Sequence, residues 1–275
     1  MAFVKEKREI DGRITQHLPT LGVLLLAGCV LGVWLFFTPP GLLGKADAIG
    51  YAVCHRIDLR SLHIGERALP LCSRCTGTYL GVSAALLYLG LRRPRASGFP
   101  TKRAFFALGI FCVAFAVDGL NSYLHFFPGA PVLYTSTNLL RLITGTYFGM
   151  VLATITYAGF NQSAWQSPVE VSVLPSLWDL LAYLAIGAGV ILLAWTEIPL
   201  ILYPLALLSS GAVFLMFVLV YTMLAILVLR RENQANKWRD LLLPLGLGVI
   251  FAMAQIGVID ALRYFLMGTW GGFQL

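Results

Sequence analysis

Residues Leu205–Leu229 read LALLSSGAVFLMFVLVYTMLAILVL, twenty-five residues without one charged side chain. At 1.5 Å per residue a helix of that length covers roughly 37 Å, enough to cross the ~30 Å hydrocarbon core of a bilayer. A membrane barrel strand is far shorter and alternates in polarity, so this run reads as a helix. Six more runs of the same kind flank it: Leu18–Phe37, Thr76–Leu91, Ala104–Tyr123, Asn138–Phe160, Leu177–Trp195 and Leu241–Met267. The second is the shortest. Ile198–Pro204, ahead of the sixth, carries Pro199 and Pro204 and is expected to be a tilted or re-entrant lead-in. The expected fold is all-α: a polytopic integral membrane bundle of about seven transmembrane helices.

Composition agrees. Of 275 residues, 58% are hydrophobic and 12% charged, about half the charge of a soluble domain. That excludes an ordinary soluble fold, and the hydrophobicity excludes disorder. The net charge of +7 sits in short loops between apolar runs, without aromatic interleaving. It therefore points to topology and to anionic membrane lipid, and not to nucleic acid. The first apolar run is longer than a secretory signal core and no small-residue cleavage site follows it, so it reads as an uncleaved signal anchor.

Loop charges set the expected orientation. Lys5, Lys7, Arg8 and Arg13 precede the first run; Arg92, Arg93, Arg95, Lys102 and Arg103 follow the second; Arg230, Arg231, Lys237 and Arg239 follow the sixth. With seven spans all of these share one side. The N-terminus is then cytoplasmic, and the C-terminus is extracytoplasmic. The exception is the first extracytoplasmic loop, Thr38–Cys75, with Lys45, Arg56, Arg60, Arg67 and Arg74.

That loop also holds three of the five cysteines. Cys54-His55 lies upstream of Cys72-Ser73-Arg74-Cys75. Three thiolates and an imidazole form the ligand set of a tetrahedral zinc site, and another transition metal suits the same donors. Thr76 stands where c-type haem attachment needs histidine. The CxxC pair at a helix N-terminus, beside Arg74, also fits a thiol–disulfide oxidoreductase with a quinone partner. An inert disulfide fits as well. Cys29 and Cys112, inside spans, read as small buried hydrophobes.

Ionisable residues inside spans are costly and point to function. Asp118 and Asn121 share a face at the end of the third span. Arg141 shares one with Asn138 and Gly145 at the start of the fourth. Asp260 and Arg263 form a secondary pair in the seventh. All lie toward the end that bears the Cys-His loop. An Asp118–Arg141 ion pair is the simplest arrangement, giving a polar floor of Asp118, Asn121 and Arg141. His63 and His125 read as solvated, and Glu197 and Asp179 as interface residues.

Thr76-Gly77-Thr78-Tyr79-Leu80-Gly81 recurs as Thr144-Gly145-Thr146-Tyr147-Phe148-Gly149. Each copy contains GxxxG, which lets helices approach closely. This suggests a parallel repeat of a two-helix unit in the first four spans, with the cysteine loop of one half against Asp118 and Arg141 of the other. The chain divides accordingly into a four-span module, residues 1–160, and a three-span extension, residues 161–275.

Cys54-His55, Arg60-Ser61, Leu69-Pro70-Leu71-Cys72, Arg74-Cys75-Thr76-Gly77, Tyr79 and Gly81 resemble a prokaryotic family of predicted membrane proteins of unknown function. Its signature runs C-H-Q, R-S-F, P-x-C-x-R-C-T-G-I-Y-x-G. Asp118-Gly119 and Arg141, Thr144 and Gly145 match its later D-G and R-x-x-T-G positions. Arg56 and Leu62 depart from it, and the likeness covers residues 54–149. It implies one shared site but no reaction. A metal-binding membrane protein, a quinone-linked thiol oxidoreductase and a small subunit of a membrane complex all remain open.

Overall fold

A computed structural model describes residues 2–127 and 129–272, with side chains from Leu18 onward. The side chains of Lys5, Lys7, Arg8 and Arg13 lie outside the described residues. The described residues form eight α-helices: α1 (Ala2–Phe37), α2 (Leu42–Val53), α3 (Ser73–Arg92), α4 (Lys102–Leu124), α5 (Asn138–Ala164), α6 (Leu177–Trp195), α7 (Pro199–Val228) and α8 (Leu242–Met267). Among the described residues four short strands lie in the loops: β1 (His63–Ile64) pairs antiparallel with β2 (Arg67–Ala68), and β3 (Ala96–Gly98) pairs parallel with β4 (Val169–Ser172).

Six of these helices are long and apolar enough to cross a membrane. Of the two helices outside that set, α2 has twelve residues, whereas α3 has 20, about 30 Å of rise, and alternates ends with its neighbours. The N-terminus of α3 joins the cysteine loop, and its C-terminus joins β3, which pairs with β4 between α5 and α6. Arg93 reaches Asp179 of α6 at that same end, at 3.0 Å. Its lower apolarity reflects its position, since Thr76, Gly77, Thr78 and Gly81 are buried against protein. The molecule is thus a polytopic helical membrane bundle. Exposed apolar residues such as Leu21, Phe36 and Phe106 form the surface that lipid covers.

Local chemistry sets several boundaries. Pro199 opens α7, where its missing N–H costs nothing, so Ile198–Pro204 is the first turn of a continuous helix and no re-entrant piece. The hydroxyls of Ser176 and Thr137 cap α6 and α5 by accepting backbone N–H groups, at 3.1 and 3.2 Å. Gly268, with φ +67°, ends α8 in the left-handed region that glycine tolerates.

At the centre, α3 and α5 run side by side in the most extensive helix contact of the fold. A Cβ on Gly77 would fall on the Leu142 carbonyl oxygen, and one on Gly145 on that of Arg74. A Cβ on Gly81 would meet the Thr146 carbonyl, and one on Gly149 that of Thr78. Each contact maps onto its partner by the same sequence shift, so a quasi-twofold axis runs along the seam. The threonine hydroxyls between the helices donate to carbonyls of their own turn, as from Thr78 to Arg74 at 3.0 Å and Thr146 to Leu142 at 2.8 Å. No backbone amide is diverted to satisfy them. The repeat is therefore carried by these two helices. The helix α1 stands apart from it, packed on α8.

Candidate metal centre

The loop between α1 and α3 is not irregular throughout. It contains the twelve-residue helix α2, and Cys54 ends that helix, its N–H still donating to Gly50 at 2.9 Å while its own backbone turns extended. A Cβ on Gly50 would fall on the Pro70 carbonyl oxygen. Glycine there lets α2 press against Leu69–Cys72 and carries Cys54 to the start of α3. Cys72 is the residue that caps α3, and Cys75 lies one turn inside it. Positions three apart share a helix face.

The three sulfurs lie within 4.8 Å of one another. All three cysteines are free thiols. Cys54 Sγ accepts the backbone N–H groups of Arg56 at 3.4 Å and Cys72 at 3.3 Å, the environment a thiolate ligand needs. A tetrahedral zinc bound by thiolates places its sulfurs about 3.8 Å apart, so the observed spacing fits an ion after a small closure. Hydrogen bonding from the Cys54 and Cys75 thiols, aided by Arg74, holds the Cys72 thiol well below its ordinary range. The Cys54 thiol is pushed up to about 12, first by its hydrogen bond with Cys72. His55 does not join the sulfurs as a fourth converging group. Its ring is exposed and lines the cavity alongside them.

The polar floor forms, with one exchange of partners. Asp118 pairs with Arg74, where Arg141 was expected. Arg74 Nε donates to Asp118 Oδ2 at 3.1 Å, and its Nη2 to the Asp118 carbonyl at 3.0 Å and the Ser122 hydroxyl at 2.8 Å. The reason lies in the seam: Arg74 and Asp118 stand on adjacent helix ends, whereas Arg141 donates along its own helix to Asn138 at 2.9 Å. Asp118 also accepts from Tyr134 at 3.1 Å, Ser136 at 2.6 Å and Thr144 at 3.3 Å. It is 1% exposed, a buried carboxylate with both oxygens satisfied. Asn121 anchors the loop that supplies two of those donors. Its amide donates to the Tyr134 carbonyl at 2.7 Å and accepts from Leu133 N–H at 2.8 Å. Tyr134 and Ser136 escape the sequence reading, whereas Thr144 is singled out there only as part of the repeat and of the family-like motif and not as a partner of Asp118.

Asp260 and Arg263 serve separate contacts. Asp260 accepts from the Trp34 indole at 3.2 Å, tying α1 to α8. Arg263 donates to the carbonyls of Tyr51 at 2.5 Å, Cys54 at 2.6 Å and His55 at 3.3 Å. It stacks over the Tyr51 ring at 4.0 Å. A cation at the C-terminal carbonyls of α2 suits the helix dipole and fixes the turn that presents Cys54. His63 Nε2 meets Asp58 at 3.2 Å and His125 Nδ1 meets the Asn121 carbonyl at 2.9 Å, both away from the sulfurs.

Fold and site together define a polytopic helical membrane protein with a three-cysteine cluster at one end of its bundle. Residues 54–155, beginning at Cys54 itself, match the family model DUF2085, described as a predicted membrane protein. An uncharacterised protein of Methanothermobacter thermautotrophicus is 31% identical over 104 residues, which are 38% of this chain and 84% of that relative. This chain belongs to that family of membrane proteins of unknown function. No solved structure matches it.

Proposed function

We propose that the protein binds a zinc ion, or another thiophilic transition-metal ion, through Cys54, Cys72 and Cys75 at the extracytoplasmic end of the bundle. The observation that carries this reading is the convergence of three unbridged sulfurs within 4.8 Å, with two backbone N–H groups turned to one of them. Three protein sulfurs leave one position of a tetrahedral ion to another ligand, the hallmark of catalytic zinc as opposed to structural zinc. Such an ion, when bound, supplies a Lewis acid at that position. The chain's own part is to hold the sulfurs, to neutralise Arg74 with Asp118, and to shield the cluster with Leu71 and Ile57, both buried.

The charge distribution supports the orientation. The thirteen basic residues flanking the other ends of the spans mark the cytoplasmic face. At the cysteine end the bases have local tasks: Arg56 and Arg67 pair with Asp47, Arg74 pairs with Asp118, and Lys45 Nζ donates to the Thr38 carbonyl.

Elemental analysis of detergent-purified protein, beside a Cys72→Ser/Cys75→Ser variant, tests the reading. The expected result is about one ion per chain, lost in the variant. A metal-free wild type, with Cys72 and Cys75 shielded from alkylation until reductant is added, overturns it. That outcome favours thiol redox chemistry with a quinone partner, for which the lowered Cys72 thiol is the supporting observation.

A further inference from the structure

Beside the sulfurs lies a cavity of about 180 Å³, lined in part by Cys54, Cys72, Cys75, Arg60 and Arg141. Three arginines surround the cluster, and they are not equivalent. Arg74 has its carboxylate in Asp118. Arg60 and Arg141 have no carboxylate partner among the described residues. Arg60 donates to the Ser122 carbonyl at 3.3 Å and lies over the Phe126 ring at 4.2 Å. Arg141 is 9% exposed, donates to Asn138 at 2.9 Å, and its Nε is buried without a partner.

A buried guanidinium without an anion, as at Arg141, is costly, and the sulfurs alone do not balance it together with the partly buried Arg60. Three thiolates and a dication sum to one negative charge. Two guanidiniums therefore leave the cavity with an excess of one positive charge. The volume is below the roughly 300–1,000 Å³ of sites for drug-sized ligands, so the occupant is small. Guanidinium groups favour oxyanions because their planar donors match carboxylate and phosphate oxygens.

We propose that Arg60 and Arg141 hold a small oxyanion, a carboxylate or a phosphate group, beside the Cys54–Cys72–Cys75 cluster. The inference rests on the metal reading in the charge count and in that the anion would complete the coordination of the bound ion, whereas the unpartnered Nε of Arg141 stands without it. The substrate or regulator of the site then belongs to the class of small anions approaching from the extracytoplasmic side.

The test uses full-length protein in detergent, loaded with Co(II) and titrated with inorganic phosphate, with acetate, and separately with phosphatidylglycerol. The expected result is a saturable change in the cobalt d–d bands. Arg60→Gln and Arg141→Met each weaken it roughly 10–100-fold while the sulfur-to-cobalt charge-transfer band persists. A response to the free anions identifies a soluble ligand. A response to the lipid alone identifies a headgroup as the oxyanion. No saturable change with any of the three, or a change as strong in both variants as in wild type, overturns the proposal. Should cobalt fail to bind, the metal reading falls by itself. Calorimetric titration of the metal-free protein with phosphate and acetate then decides: arginine-dependent binding upholds the anion site, and its absence overturns it. Arg60→Gln keeps the comparison valid if Arg141→Met fails to fold, because Arg60 is only partly buried.

Discussion

Replacing Gly149 by alanine adds one methyl group at the tightest point between α3 and α5. That methyl would fall on the Thr78 carbonyl oxygen, a backbone atom that cannot swing aside as a side chain can. The quasi-twofold axis makes Gly81→Ala its counterpart, against the Thr146 carbonyl. Overpacking a fitted core costs about 1–3 kcal/mol. The better helix propensity of alanine offsets up to ~1 kcal/mol of that. A net loss on the order of 1–2 kcal/mol is expected for each substitution. Gly90, on α3 with Gly81, is the control: nothing lies within 4 Å of its would-be Cβ, so Gly90→Ala gains the propensity alone. Thermal unfolding in one detergent reads the difference, at about 2–4 °C per kcal/mol for a chain near this size. Gly81→Ala and Gly149→Ala should melt several degrees below wild type by similar amounts, with Gly90→Ala at or above it. If Gly149→Ala and Gly90→Ala shift the melt alike, close helix approach is not what holds the bundle centre together.

Asp118→Leu strips Arg74 of its carboxylate and should cost about 3–5 kcal/mol. The Asp118→Leu/Arg74→Met double variant should recover a large part in the same melts, and a double variant as unstable as the summed singles refutes the coupling. Gly50→Ala should push α2 off the Pro70 carbonyl and part Cys54 from Cys72, weakening metal retention by roughly 10–100-fold; competition with a chelator measures this, and unchanged retention refutes it. In metal-free protein near about pH 8, iodoacetamide should label Cys72 before Cys54, because the first thiol is held low and the second is pushed up to about 12. Peptide mass mapping reads the order. The stability linked to Cys72 carries the sign of an acid whose value falls on folding: present at higher pH and lost as the pH drops through the lowered value.

The spans were legible because hydrocarbon thickness fixes a length that a run such as Leu205–Leu229 meets by composition alone. The helix α3 was legible only as a short candidate, since burying Gly77, Thr78 and Gly81 against protein lowers the very hydropathy that marks a span. The helix α2 passed unread: its twelve residues include Lys45 and Asp47, below the length at which periodicity in a loop stands out. At the site, the three cysteines and Asp118 announced themselves as costly residue types in unusual places. Which arginine meets Asp118 was not readable, because Arg74 and Arg141 sit at equivalent ends of two quasi-equivalent helices. Only the register of the seam, with the Arg74 carbonyl against Gly145, brings the first of them to α4. Tyr134 and Ser136 reach Asp118 from an irregular loop, where spacing carries no directional signal.

The same seam accounts for the electrostatics of the cluster. Because α3 and α5 are parallel and start within one turn of each other, both present their positive dipole ends toward the sulfurs, Cys72 capping the first and Arg141 riding the first turn of the second. Two helix N-termini and two guanidiniums that have no carboxylate partner among the described residues lie beside the three thiols, while the carboxylate of Asp118 is committed to Arg74. An environment so weighted toward positive charge does not suit a bare cation. Under the metal-binding proposal it stabilises a thiolate cluster whose net charge is negative with the ion bound, and under the anion proposal it leaves positive charge over for a further anion. The GxxxG pair therefore does more than pack two helices. By forcing them parallel and in register it sets the sign of the field in which the cysteines work.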